Sequence, residues 1–348
     1  MTGGGADDIT TVAGSINTLN LTGTNTLASY GQDTIHGDAS NTMLSIFGNS
    51  TVMLDGGNNS ILLAGKDVLT VAAGHDNITL AQGSSVTLAL HGNHAVHGQG
   101  GTLALSFTNS AGQISDASAA GTAEATTDVN GGIHMETRSF GTAISAGAGL
   151  FSLDSNGADQ VTLGTGAAKL AIWAAGAVVH VGAGTASITG GFVDGAFTVI
   201  GGTGLISADS AGMRMTFIGG SGNAVLSGHS LDVFGGTGAI SASGVHSFTG
   251  SAGSADLVLT GGAKVAFGSG NAHVAEAPWG DADTFTLSPT AVGHAVIDGF
   301  RIGTDHLAMA PGMSVASQSV GAGGAHLIFN TGTDLMLTGV QDTKGLFA

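Results

Sequence analysis

Several aspartates of this 348-residue chain share one local frame, Gly-x-Asp-x-apolar. They stand in Gly5-Ala6-Asp7-Asp8-Ile9, Gly31-Gln32-Asp33-Thr34-Ile35, Gly65-Lys66-Asp67-Val68-Leu69, Gly74-His75-Asp76-Asn77-Ile78, Gly157-Ala158-Asp159-Gln160-Val161 and Gly303-Thr304-Asp305-His306-Leu307. A carboxylate beside a glycine turn can do two kinds of chemistry. It can offer oxygen to a hard divalent cation, which needs six or more such ligands, with turn carbonyls supplying the remainder. It can also hydrogen-bond its own turn, which needs no ion. Asp67 and Asp76 lead the metal candidates, followed by Asp7, Asp33, Asp159 and Asp305, and both readings stay open at this point.

Two other groups could carry chemistry. His91, His94 and His97 form an H-x-x-H-x-x-H string, but odd spacing on an extended strand sends neighbours to opposite faces, so they read as turn histidines rather than a metal site. Between 108 and 142 lie Asp116, Glu124, Asp128, His134, Glu136 and Arg138. Paired carboxylates there suit the acid/base work of a polysaccharide lyase or epimerase. Charged loop residues are ordinarily solvated, and the chain is not expected to be an enzyme.

The elements that would position these residues show in the spacing of glycine. Gly48, Gly57, Gly65, Gly74, Gly83 and Gly92 recur about every nine residues and bracket short alternating strings such as Val52-Met53-Leu54, Ile61-Leu62-Leu63, Leu69-Thr70-Val71 and Ile78-Thr79-Leu80. The same beat returns in Val161-Thr162-Leu163, Leu170-Ala171-Ile172, Phe197-Thr198-Val199 and Met215-Thr216-Phe217. Period two sends Ile78 and Leu80 to one side and Thr79 to the other. Strands this short hold only when stacked coil on coil around a shared core. The chain is therefore expected to be all-β, a parallel β-solenoid of the β-roll or β-helix kind. Two nine-residue units would make a two-faced coil of about 18 residues and three a triangular coil of about 27, and the repeat length alone admits both.

The pattern divides the chain into four parts: coils over 1–107, an irregular loop or insertion over 108–142, a second run of coils over 143–280, and a less repetitive module over 281–348 that holds Pro289 and Pro311. Composition narrows the partners. The chain carries 7 Lys plus Arg against 24 Asp plus Glu, a formal charge of −17, so nucleic acid is not expected and divalent cations are the natural counter-charge. It has no Cys, which suits a protein entering an oxidising space without disulfides. No apolar run is long enough for a membrane helix, and Met1 to Asp8 has neither the basic nor the apolar region of a classical signal peptide.

The turn frame resembles a degenerate RTX (repeats-in-toxin) nonapeptide, G-G-x-G-x-D-x-U-x, with Asn49, Asn59, Asn93, Asn223 and Asn271 standing in turns where the acid would be. The text Asp283-Thr284-Phe285, Val296-Ile297-Asp298-Gly299-Phe300, Gly303-Thr304-Asp305-His306-Leu307 and Asp334-Leu335-Met336-Leu337-Thr338-Gly339-Val340 is similar to the module that closes RTX β-rolls in type I secreted proteins. Gly299 departs from the direct Asp-Phe step of many relatives. The resemblance implies Ca²⁺ between coils at the turn aspartates, a C-terminal capping and secretion module, and export without a cleaved N-terminal signal to the cell surface or beyond.

Only 9% of the residues are charged, against about a quarter in an ordinary soluble domain. Such a surface suits burial against other copies, and the expected role is an extracellular, self-assembling structural protein: a surface-layer, matrix or filament subunit that forms a homo-polymer. The alternative is an adhesin or polysaccharide-binding module in which Tyr30, Trp173 or Trp279 stacks on sugar rings.

Overall fold

In a computed structural model, every described residue lies in a strand, a turn or an irregular connection. The backbone is described for all residues except 82–83, 91–93, 99–100, 108–110, 117–120, 128–131, 138–141, 147–149, 192–193, 277–279, 292 and 348; between 90 and 143 the strands are described without their side chains. The chain is a parallel β-solenoid, and it divides into two compact units, Met1–Val179 and His180–Ala348. No helix among the described residues is long and apolar enough to cross a membrane.

In the first unit each strand pairs not with its neighbour in sequence but with the next one on. Thr26–Ser29 pairs with Met43–Ile46, that with Ser60–Leu63, and that with Asn77–Leu80, all parallel. The intervening strands Thr34–Gly37, Thr51–Leu54 and Lys66–Val71 form the second ladder. Each coil therefore has two faces, which decides between the two coil types the repeat length admits. Partners such as Thr26 and Met43, or Met43 and Ser60, stand one coil apart, the separation of 17 also seen between Asn59 and Asp76.

The inward residues stack in columns. Leu27, Leu44, Ile61 and Ile78 form one, and Ile35, Val52 and Leu69 another, all essentially excluded from solvent. Burial of each such side chain contributes about 1.5–3 kcal/mol, which a four-residue strand needs because isolated it has almost no cooperative stability. At the coil corners backbone meets backbone. A Cβ on Gly48 would overlap the carbonyl of Gly31, and one on Gly65 would overlap that of Gly48, so glycine is what lets successive turns stack.

The second unit repeats the arrangement with longer strands. Ile240–Thr249 and Ala255–Ala266 run through the corner, each pairing with strands on both faces, with register shifts near Val245. The last parallel pair is His294–Asp298 with Asp334–Thr338. The other edge of Asp334–Thr338 is taken by Gly324–Phe329, antiparallel, and Gly324–Phe329 in turn pairs antiparallel with Val315–Gly321. The direction of pairing thus changes from parallel to antiparallel in these last strands.

The interval 108–142, expected as an irregular insertion, falls largely on residues whose side chains are not described. The strands described within it, Ala111–Asp116, Gly121–Thr127 and Gly132–Thr137, have parallel partners.

Candidate functional site

The turn aspartates owe their position to strand parity. In each Gly-x-Asp-x-apolar frame the Asp stands two residues before the first inward side chain, so period two aims it inward as well. Asp33, Asp67, Asp76, Asp159 and Asp305 are buried accordingly, and Asp7 is partly exposed. Asn25, Thr42, Ser50, Asn59 and Ser84 occupy the equivalent positions before Leu27, Leu44, Val52, Ile61 and Val86, and they are buried too.

Where a strand turns the corner its ladder lapses, and the backbone N–H groups there need other acceptors. The inward polar residues provide them across one coil. The Asp76 carboxylate accepts from the N–H and the amide Nδ2 of Asn59, at 2.8 and 2.7 Å, and the Asn59 amide oxygen accepts from the N–H of Thr42 at 2.9 Å. On the other corner Asp67 accepts from the N–H of Ser50 at 2.9 Å and of Gly65 at 3.0 Å. Asp33 takes two donors on each oxygen: the N–H and Nδ2 of Asn17 on Oδ1, and the hydroxyls of Thr11 and Ser29 on Oδ2. Asp7 accepts from the N–H of Gly4, and Asp159 from the hydroxyl of Ser155.

Electrostatics follow the donor count. Burial pushes the Asp33 carboxyl up, but hydrogen bonds from Ser29, Thr11 and Asn17 outweigh it and hold the group below its ordinary range. At Asp67 burial dominates over the two backbone donors, and the pKa rises.

The six expected ligands are not gathered. None of Asp7, Asp33, Asp67, Asp76 and Asp159 joins two further acid or imidazole groups at a shared point among the described residues. One such group does form, in the second unit. Glu276, Asp283 and Asp305 bring carboxylate oxygens within 4.8 Å of one another. Asp305 was expected; Glu276 and Asp283 were missed as ligands. Parity would have found both, because Glu276 follows inward Val274 by two and Asp283 precedes inward Phe285 by two. Their convergence could not be read, since it depends on how three separate strands align.

Within this group Asp305 is saturated. Its Oδ1 accepts from the N–H of Asp283 at 3.0 Å and from Nη2 of Arg301 at 2.8 Å, and its Oδ2 from the N–H and Nε of Arg301 at 2.7 and 3.1 Å. Despite burial, these bonds hold Asp305 below its usual value. Asp283 uses Oδ1 to accept from the N–H of Ala263 at 2.7 Å, while its Oδ2 has no hydrogen-bond partner. The Glu276 side chain is only 1% exposed, with Asp305 as its hydrogen-bond partner and Nε of Arg301 3.7 Å away. Burial first, then a hydrogen bond to Asp305 and the charges of Asp305 and Asp283, push Glu276 up to about 9. Burial also raises Asp283.

The outward faces are the other candidate surface. In the second unit Ile200, Ile218 and Phe234 are in register on successive strands, with Ile218 41% and Phe234 43% exposed. In the first unit Tyr30 and Phe47, on successive coils, stack with centroids 4.8 Å apart and remain exposed. Trp173 is exposed as well, while Trp279 lies outside the described residues. The side chains of His91, His94, His97, Asp116, Glu124, Asp128, His134, Glu136 and Arg138 also lie outside them.

The fold and these surfaces define a two-faced parallel β-solenoid. No protein-family model, no curated protein and no solved structure matches the chain.

Proposed function

We propose that this chain is an extracellular structural protein that associates with copies of itself through an outward face of its coils, as a subunit of a surface layer, matrix or filament. The observation that carries the reading is the column Ile200, Ile218 and Phe234: apolar side chains in register on consecutive strands, on a chain with 9% charged residues. Thr198 and Thr216 lie beside it on the same strands and Asp232, paired with Arg214, continues their row, so a second copy covering the strip would meet apolar groups, hydroxyls and one closed ion pair. Secretion by a type I route rests on the RTX-like text of residues 283–340 and would carry the chain to the cell surface or beyond.

Sedimentation velocity over a concentration series, with negative-stain microscopy, tests the proposal. The wild-type chain is expected to form concentration-dependent assemblies, and the double variant I218D/F234D to stay monomeric with an unchanged far-UV spectrum. A wild-type chain that remains monomeric throughout, or a variant that assembles equally well, would overturn it.

A second reading, glycan binding, is favoured by Tyr30 and Phe47, whose stacked and exposed rings are the kind of surface that sugar rings pack against. It expects retention on a polysaccharide matrix that is lost in Y30A/F47A while assembly is kept.

A further inference from the structure

We propose that the edge strand Val315–Gly321 pairs antiparallel with the same strand of a second copy, across a two-fold axis at Ser319. The inference rests on the self-assembly reading above and deepens it by naming a second contact. One contact does not make a homo-polymer. A face that packs on the same face of another copy closes at the dimer, and growth needs a further surface.

Val315–Gly321 offers that surface. Among the described residues it pairs with Gly324–Phe329 alone, which leaves one row of its backbone N–H and C=O groups without a ladder. Val315 is half-buried and the other six residues are exposed, so both faces of the strand are open along with its edge. Gln341 Nε2 reaches only the last carbonyl, that of Gly321, at 3.2 Å. Charges, prolines and bulges are the usual guards of such an edge. This strand has no charged residue and no proline, and its register shift falls between Val315 and Ser317, leaving Ser317–Gly321 regular.

Charge singles out a second copy as the occupant. No Asp, Glu, Lys or Arg stands between Asp305 and Asp334, so two chains of formal charge −17 can meet here without setting like charges against each other. An antiparallel strand is also its own complement. With Ser319 opposite Ser319, Gln318 faces Val320 and Ser317 faces Gly321, and the backbone groups pair without any demand on side chains. Two strands of this length are marginal by themselves. The edge contact therefore gains its strength once the coil face holds copies at high effective concentration, and I218D/F234D still sediments as a monomer.

Disulfide trapping tests the edge by itself, because the chain has no Cys of its own. Directly opposed residues of an antiparallel pair stand about 4.5–5.5 Å apart at Cα, within disulfide reach. S319C is expected to form disulfide-linked dimers about tenfold or more faster than N58C, a cysteine at an exposed turn, and to do so more slowly in the I218D/F234D background. Sedimentation velocity tests the role in growth. S317K/S319K lowers the net negative charge but sets like charges across the edge, so it is expected to stop at dimers with an unchanged far-UV spectrum. S317E/S319E should do the same, and an equimolar mixture of the two should restore the larger assemblies. Oxidation of S319C no faster than that of N58C in the wild-type background, or assembly of S317K/S319K like wild type, would overturn the edge contact and leave the coil face standing. Trapping of S319C together with undiminished assembly of I218D/F234D would keep the edge and sink the coil face.

Discussion

Asp33 and Asn59 illustrate what the inward corner residues do in this fold. Each accepts hydrogen bonds from the backbone of the preceding coil, and an amide serves as well as a carboxylate where one oxygen is enough. Asp33→Ala strands the N–H of Asn17 and the hydroxyls of Thr11 and Ser29, so a loss of about 3 kcal/mol or more is expected in urea unfolding, with Asp33→Asn recovering a good part. The described turn asparagines divide into two kinds. Asn59 points inward and bonds back one coil, whereas Asn49, Asn223 and Asn271 are exposed and accept from the N–H of Lys66, Ala239 and His294 in the following coil. On the outer face His273 spans three coils, its Nδ1 on Asp256 at 2.9 Å and its Nε2 on Asp298 at 2.8 Å. These partners, Asp298 first, raise the His273 pKa, while hydrogen bonds from Thr338 and then His273 lower that of Asp298. The histidine contribution is complete below its unfolded value of 6.5 and fades as pH rises through the raised folded value. The Asp298 contribution is complete above 3.8 and fades as pH falls through the lowered one. Stability should therefore carry a small extra margin between those two values, under about 1 kcal/mol per pair because the groups are half exposed. Urea midpoints of wild type and H273A across pH should converge above the folded histidine pKa; a constant gap would refute the linkage.

At the scale of the strand, packing and corner geometry decide stability. Ile61 stands in the column Leu44, Ile61, Ile78, and Ile61→Ala should cost about 2–5 kcal/mol because parallel stacking leaves the neighbours little room to collapse. Gly65→Ala should be at least as damaging although no apolar surface is lost, since the added methyl meets the Gly48 carbonyl. Gly14→Ala differs in kind: nothing lies near its Cβ, and only its φ of +78° resists the change, by about 1–2 kcal/mol. Comparing the three by chemical denaturation separates cavity, overlap and dihedral cost. Much of this level was legible in advance. The strings Val52-Met53-Leu54, Ile61-Leu62-Leu63 and Ile78-Thr79-Leu80 lie within the observed strands Thr51–Leu54, Ser60–Leu63 and Asn77–Leu80. The number of faces per coil was not legible, because a nine-residue beat describes one strand and one turn and is silent on how many turns close a circuit.

For the molecule as a whole, charge would oppose the proposed assembly through the outward apolar column. A formal −17 makes copies repel, and with so few cations on the surface there is little pairing to offset it. Salt should therefore promote association: raising NaCl from about 10 mM to about 500 mM shortens the Debye length from roughly 30 Å to a few ångströms, and the mean sedimentation coefficient should increase. A decrease would mean that ion pairs, not apolar contact, hold the copies together.

Alternation of apolar and polar residues with glycine at every ninth place was sufficient to specify parallel coils, because strands of four residues have no stable state other than a shared ladder and a shared core. The inward position of each turn acid was implicit in the same alternation. Which acids meet is a different matter. Glu276, Asp283 and Asp305 converge only because the strand registers on successive coils bring the stretch 276–283 and the later turn at Asp305 to one corner. Register is a property of the stacked coils, and a local frame of five residues cannot encode it.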